Sequence, residues 1–171
     1  MLGNLKGLAT TLVSFFRPVV TADYPKKHLP VNPRFMGFPV LIWDEKVVEP
    51  YCTGCMVCIR NCPTQCMGAT MKDNPLFAEG KSTRRKIVDE FEINLGRCIL
   101  CGICVEVCNF DAIEMSHEHE LSVVARNGNR ANLERLLEMG QKYQKETDWK
   151  PRKTKGAEAP KAEPAKKEAT A

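Results

Sequence analysis

The sequence predicts an α+β fold: a small cysteine-rich core with an N-terminal amphipathic helix on an extended arm, a C-terminal helix and a disordered tail. Three observations lead there. Apolar residues recur at i, i+3, i+4 spacing near both ends, over residues 2–17 and 131–146. Shorter stretches suited to strands, residues 40–48 and Ile87 to Ile93, lie between them. The nine cysteines are confined to two places, five in residues 52–66 and four in residues 98–108.

In the first helix, Leu2, Leu5, Leu8, Ala9, Leu12, Val13 and Phe16 form the apolar stripe. Asn4, Lys6, Thr10, Thr11 and Ser14 take the other side, and Pro18 ends the helix. At ~1.5 Å per residue it spans about 24 Å, too short and too polar to cross a bilayer. Pro18, Pro25, Pro30, Pro33 and Pro39 then impose an extended arm, so residues 1–39 read as one docking segment. An amphipathic helix on such an arm suits a partner or a membrane surface better than its own domain. Residues 40–120 form the cysteine-rich domain, in which the charge run Lys81–Lys86 reads as a solvated loop. A helical extension occupies 121–149, with Leu133, Leu136, Leu137 and Met139 as its stripe. Residues 150–171, rich in Lys, Ala, Pro and Glu, are too polar to bury a core and read as disordered.

Charge placement excludes one class of function. The net charge is +4, but from Lys150 onward there are seven Lys and Arg against three Asp and Glu, and the rest of the chain is balanced. No basic stripe interleaved with aromatics remains to bind nucleic acid. Lys6 interrupts the N-terminal apolar stretch, and no small-residue cleavage site follows it, so nothing reads as an export signal. That argues against a secreted disulfide framework and for metal.

The first run is Cys52-x2-Cys55-x2-Cys58-x3-Cys62-Pro63, and the second is Cys98-x2-Cys101-x2-Cys104-x3-Cys108. This is the spacing of bacterial dicluster ferredoxins, occurring twice. Three thiolates on a tight loop each reach one corner of a cubane, and the fourth starts a helix directed at the other cubane. The expectation is two 4Fe–4S clusters with crosswise ligands: Cys52, Cys55, Cys58 and Cys108 for cluster one, and Cys98, Cys101, Cys104 and Cys62 for cluster two. A zinc-binding assembly module is the alternative of another class, but zinc has no use for a third cysteine following at once in both runs. Gly54 and Gly102 stand where the backbone bends around a cluster. Met56, Val57, Ile59, Ile99, Leu100, Ile103, Val105 and Val107 are apolar and suited to excluding water. Asn109 stands where the first run has Pro63, so the clusters need not share a potential. Cys66 is the ninth cysteine, read as a small buried residue outside the ligand set. His117 and His119 lie in a charged stretch and read as solvent-exposed; the sharper reading is a protonatable group beside cluster two. No nucleophile–base pair, phosphate loop or flavin motif occurs, so no catalytic residue is assigned.

The N-terminal stretch from Gly7-Leu8-Ala9-Thr10-Thr11-Leu12 through Phe16-Arg17-Pro18-Val19, with Thr21 and Tyr24-Pro25, resembles the start of the NADH–quinone oxidoreductase subunit I family. This is the eight-iron ferredoxin-like subunit of respiratory complex I. Pro33-Arg34-Phe35-Met36-Gly37, the run Arg97-Cys98-Ile99-Leu100-Cys101-Gly102-Ile103-Cys104, and Asp111-Ala112-Ile113-Glu114-Met115 continue the resemblance over roughly residues 5–140. Cys62-Pro63-Thr64-Gln65-Cys66-Met67 departs from the family's usual proline, small polar, alanine, isoleucine run, and Asn109 replaces a usual proline. The resemblance implies a non-catalytic electron-transfer subunit of a proton-translocating NADH–quinone oxidoreductase. It implies other peripheral-arm subunits as partners, including the one bearing the terminal cluster. It also implies membrane-arm subunits and the membrane surface as partners of residues 1–17. The location implied is peripheral, on the cytoplasmic face of the bacterial inner membrane. A free dicluster ferredoxin, or the relay subunit of a related membrane-bound hydrogenase, is the runner-up.

Overall fold

The computed structural model describes residues 2–125 and 128–152, so most of the expected tail lies outside the described residues. The chain divides into two units, one ending at Pro33 and one beginning at Arg34. The first holds helix α1 (Leu2–Phe15). The hydroxyls of Thr10 and Ser14 donate back to the carbonyls of Lys6 and Thr11 at 2.9 and 2.8 Å, which satisfies the polar side of the helix locally. Its apolar side is left open: Leu5, Leu8 and Leu12 remain 60–68% exposed. No helix among the described residues is long and apolar enough to cross a membrane.

The second unit runs β1 (Pro39–Leu41), β2 (Trp43–Asp44), β3 (Glu49–Pro50), α2 (Val57–Arg60), β4 (Met67–Asp73), α3 (Pro75–Ala78), β5 (Lys86–Asn94), α4 (Ile103–Glu106), β6 (Ile113–Met115), β7 (Arg130–Asn132) and α5 (Leu133–Thr147). The stretch 40–48 is broken rather than one strand. β1 pairs antiparallel with β6, Leu41 opposite Ile113, whereas β2 folds back onto β3 through a turn in which Val48 takes φ 61°. β4, β5 and β7 form an antiparallel sheet with β5 central, irregular between Thr70 and Met71. Arg34 belongs to the second unit. Beyond it, the amides of Gly37 and Phe38 bond the carbonyls of Ser116 and Glu118 at 2.7 and 2.9 Å, extending the β1–β6 pairing.

Leu41, Ile42, Ile93, Ile113 and Leu136 are fully buried and form the centre of the core. α5 closes it. Asn132 caps the helix by accepting from the Arg135 amide at 3.1 Å. A Cβ at Gly140 would lie 1.8 Å from the Leu41 carbonyl oxygen, so only glycine lets the helix rest directly on β1. One turn further, Gln144 accepts from the Trp43 amide at 3.1 Å and donates to its carbonyl at 2.9 Å, which continues the sheet through a side chain.

The charge run 81–86 is not uniformly solvated. Arg84 turns inward and bonds Asp44 at 2.8 Å and Glu49 at 2.6 Å, with its guanidinium 4.5 Å from the Tyr51 ring centroid. Ser82 and Asn74 complete the network by donating to Glu49 at 2.6 and 2.8 Å. Two buried carboxylates on β2 and β3 need a cation, and Arg84 is the residue of the run that reaches them.

Candidate metal centre

The two cysteine runs fold as copies of one another. In the first, Gly54 and Met56 have φ 71° and 61°; at equivalent positions of the second, Leu100 and Gly102 have φ 55° and 73°. Each loop therefore needs two left-handed residues and has one glycine, placed first in one copy and second in the other. A non-glycine residue accepts the left-handed strain at the remaining position. Each loop leads into a one-turn helix, α2 or α4, then the fourth cysteine. A third left-handed residue follows, Gln65 at φ 48° and Asp111 at φ 49°, and then β4 or β6. Gly54 and Gly102 have the role expected of them. A Cβ on Gly54 would lie 2.8 Å from the Met71 Cβ, and one on Gly102 2.8 Å from the Met36 Cε.

The amides of Gly54 and Leu100, again equivalent, oppose the effect of burial on the Cys52 and Cys98 thiols. On the Cys52 side, burial above all, with the neighbouring Cys58, Cys108 and Cys55 acting in the same direction, pushes the thiol up to about 12. Burial, followed by Cys108 and Cys55, likewise raises Cys58 to about 11. Cys52, Cys55, Cys58 and Cys108 are thus brought within electrostatic reach of one another. In the other half, burial raises Cys104 to about 12, with Cys98, Cys58 and Cys101 contributing, and Cys98 is raised with contributions from Cys101 and Cys62. A narrow cavity is lined by Cys62, Cys98, Cys101 and Cys104, together with Met67, Leu100 and Met115. Buried thiols that oppose each other's ionisation ionise together only around a cationic centre, so this donor set fits metal. All nine cysteines are free of disulfides. Among the described residues, no three His, Cys, Asp or Glu side chains converge as a single ion requires.

Cys62 differs from Cys52, Cys58, Cys98 and Cys104. Burial pushes its thiol up, but hydrogen bonds from the Thr64 side chain and from Cys66 outweigh it and bring it down to about 7. Cys66 is buried, as expected, but is not remote from the ligand set: its Sγ lies 3.6 Å from that of Cys62. Thr64, which the sequence reading did not single out, places Oγ1 3.5 Å from the same sulfur. A hydroxyl two residues after a ligand is the available signal, since such residues commonly bond back to nearby groups. His119 is exposed as expected, with its ring 5.4 Å from that of Phe35 and its Nε2 3.7 Å from Glu120. His117 is half-buried against Tyr143, ring centroids 5.5 Å apart, which corrects its reading as solvent-exposed.

Residues 51–112 match the 4Fe-4S dicluster domain family. Over 134 residues the chain is 32% identical to the NADH-quinone oxidoreductase subunit I 2 of Geobacter metallireducens, covering 78% of this chain and 95% of that relative. The chain belongs to the NADH-quinone oxidoreductase subunit I family. It is also 36% identical over 145 residues to subunit I 2 of Symbiobacterium thermophilum, and 38% identical over 121 residues to that of Streptomyces coelicolor. These alignments cover 85% and 69% of this chain, which spans 58% of the length of each of those two relatives. Among solved structures, it is similar to a chain of the membrane-bound sulfane sulfur reductase, an archaeal respiratory membrane complex. The identity is 25%, over 70% of this chain and 56% of that one, with a TM-score of 0.45. As a subunit I family member with the dicluster domain and both cysteine runs, the chain carries two 4Fe–4S clusters.

Proposed function

We propose that this chain is the electron-relay subunit of a respiratory NADH–quinone oxidoreductase, holding one cluster on Cys52, Cys55, Cys58 and Cys108 and the other on Cys98, Cys101, Cys104 and Cys62. The observation that carries the reading is the cavity that Cys62, of the first motif, shares with Cys98, Cys101 and Cys104 of the second. When bound, each cluster takes up and releases one electron at a time. The chain's residues hold the thiolates, donate amides to them and exclude water. Cys52, Cys104 and Cys108 are buried, whereas Cys101 is the only exposed cysteine of the nine and stands beside Ile99, itself 62% exposed. That exposed edge suits contact with a redox partner. NADH oxidation, quinone reduction and proton translocation fall to partner subunits of the peripheral and membrane arms. The open apolar side of α1 supports docking through residues 1–17 on the membrane arm or membrane surface, at the cytoplasmic face of the inner membrane.

The test has two parts. Metal analysis of the full chain is expected to give about eight irons and eight acid-labile sulfides; stoichiometric zinc without sulfide would sink the reading. Removing residues 1–30 is expected to release the chain from membranes with its iron retained, and continued membrane binding would defeat the docking assignment.

A further inference from the structure

The internal duplication allows each half to serve as the other's control. In the second half, the fourth cysteine, Cys108, accepts a hydrogen bond from the Ala112 amide at 3.3 Å. In the first half, Cys66 stands at the position equivalent to Ala112, after the matching left-handed turn at Gln65. The backbone arrangement is therefore shared, and the side chains differ. Where the second half has Phe110 and Ala112, which have no side-chain donor, the first has Thr64 and Cys66. Both reach the same sulfur: Thr64 Oγ1 at 3.5 Å and Cys66 Sγ at 3.6 Å. A cluster-bound Cys62 is a thiolate and only accepts, so Thr64 O–H and Cys66 S–H are the donors. Cys66 is held in place from its other side, because its carbonyl accepts from the Asn94 amide of β5 at 2.8 Å. Thr64 and Cys62 line the same cavity as Cys98, Cys101 and Cys104.

We propose that Thr64 and Cys66 are tuning residues that donate hydrogen bonds to the Cys62 sulfur and so raise the reduction potential of the cluster held by the second motif. The cause is electrostatic. An added electron makes the ligand sulfurs more negative, and a fixed donor stabilises that reduced form more than the oxidised one. The sequence placed a difference between the clusters at Pro63 and Asn109; the structure places one two to four residues from Cys62. The inference rests on Cys62 serving the second motif's cluster.

The experiment is a redox titration of the full chain with both clusters in place, followed by electron paramagnetic resonance under exclusion of oxygen. The Cys101→Ser variant marks which signal belongs to the second motif. Cys66→Ala and Thr64→Val are each expected to shift that signal's potential to more negative values. The other signal and the iron and sulfide content should stay unchanged. Cys66→Ser and Thr64→Ser, which keep a donor, are expected to stay near the wild type. Unchanged potentials in both donor-free variants would overturn the proposal, as would loss of iron from Cys66→Ala, which would make Cys66 a ligand. A shift confined to the other signal would instead overturn the crosswise assignment.

Discussion

At the scale of single residues, two kinds of sulfur stand out. Cys52 and Cys104 are deep, and burial raises both thiols to about 12 from an ordinary value of 9.0. Such a group binds its proton more tightly folded than unfolded. Its contribution to stability is therefore full below about pH 9 and is lost as the pH climbs toward about 12. In the cluster-free chain, the urea midpoint is expected to fall over that interval. In the cluster-bearing chain, where these thiolates are ligated, it should fall less. A flat midpoint in the cluster-free chain would show that the two thiols are not buried there as described. Cys62 is the other kind, with donors outweighing burial. The spacing of the runs singled out eight sulfurs as expected ligands, because a cubane favours that spacing. It could not show which sulfur receives extra donors, because that depends on where Gln65 turns the chain.

At the scale of elements, the packing of α5 on β1 depends on one position. Gly140 stands where any Cβ would meet the Leu41 carbonyl. Gly140→Ala is expected to cost about 1–3 kcal/mol or more by forcing helix and strand apart, measured by chemical denaturation. Gly68→Ala is the control, since a Cβ at Gly68 meets nothing within 4 Å; equal losses at both sites would refute the contact. The apolar stripe of Leu133, Leu136, Leu137 and Met139 made the helix readable from its period. The stripe did not reveal that a glycine inside the helix is a contact point. Nor did composition reveal that Arg84, within a run of charges, anchors the segment around α3 to Asp44 and Glu49. Solvated and anchoring arginines look alike until their partners, 40 and 35 positions away, are in place.

At the scale of the whole molecule, the second unit contains two copies of loop, helix, turn and strand, and under the proposed crosswise assignment each would complete the other's metal set. Replacing Cys62 by Ala is therefore expected to alter the signal of the second motif's cluster, and replacing Cys108 that of the first. The reverse pattern, seen by electron paramagnetic resonance, would show that each motif keeps its own fourth cysteine. By itself, the sequence determined the α+β class, the cofactor, the ligand residues expected to hold it, and an amphipathic N-terminal helix read as a docking segment. All of these follow from local spacing and period, which short-range geometry fixes. Only the tertiary structure decided that the stretch 40–48 breaks into two strands, and that Arg84 and His117 turn inward. It also decided that Thr64 and Cys66 converge on one ligand sulfur. These depend on contacts between distant segments and on left-handed turns at Gln65 and Asp111, and residue spacing carries no trace of either.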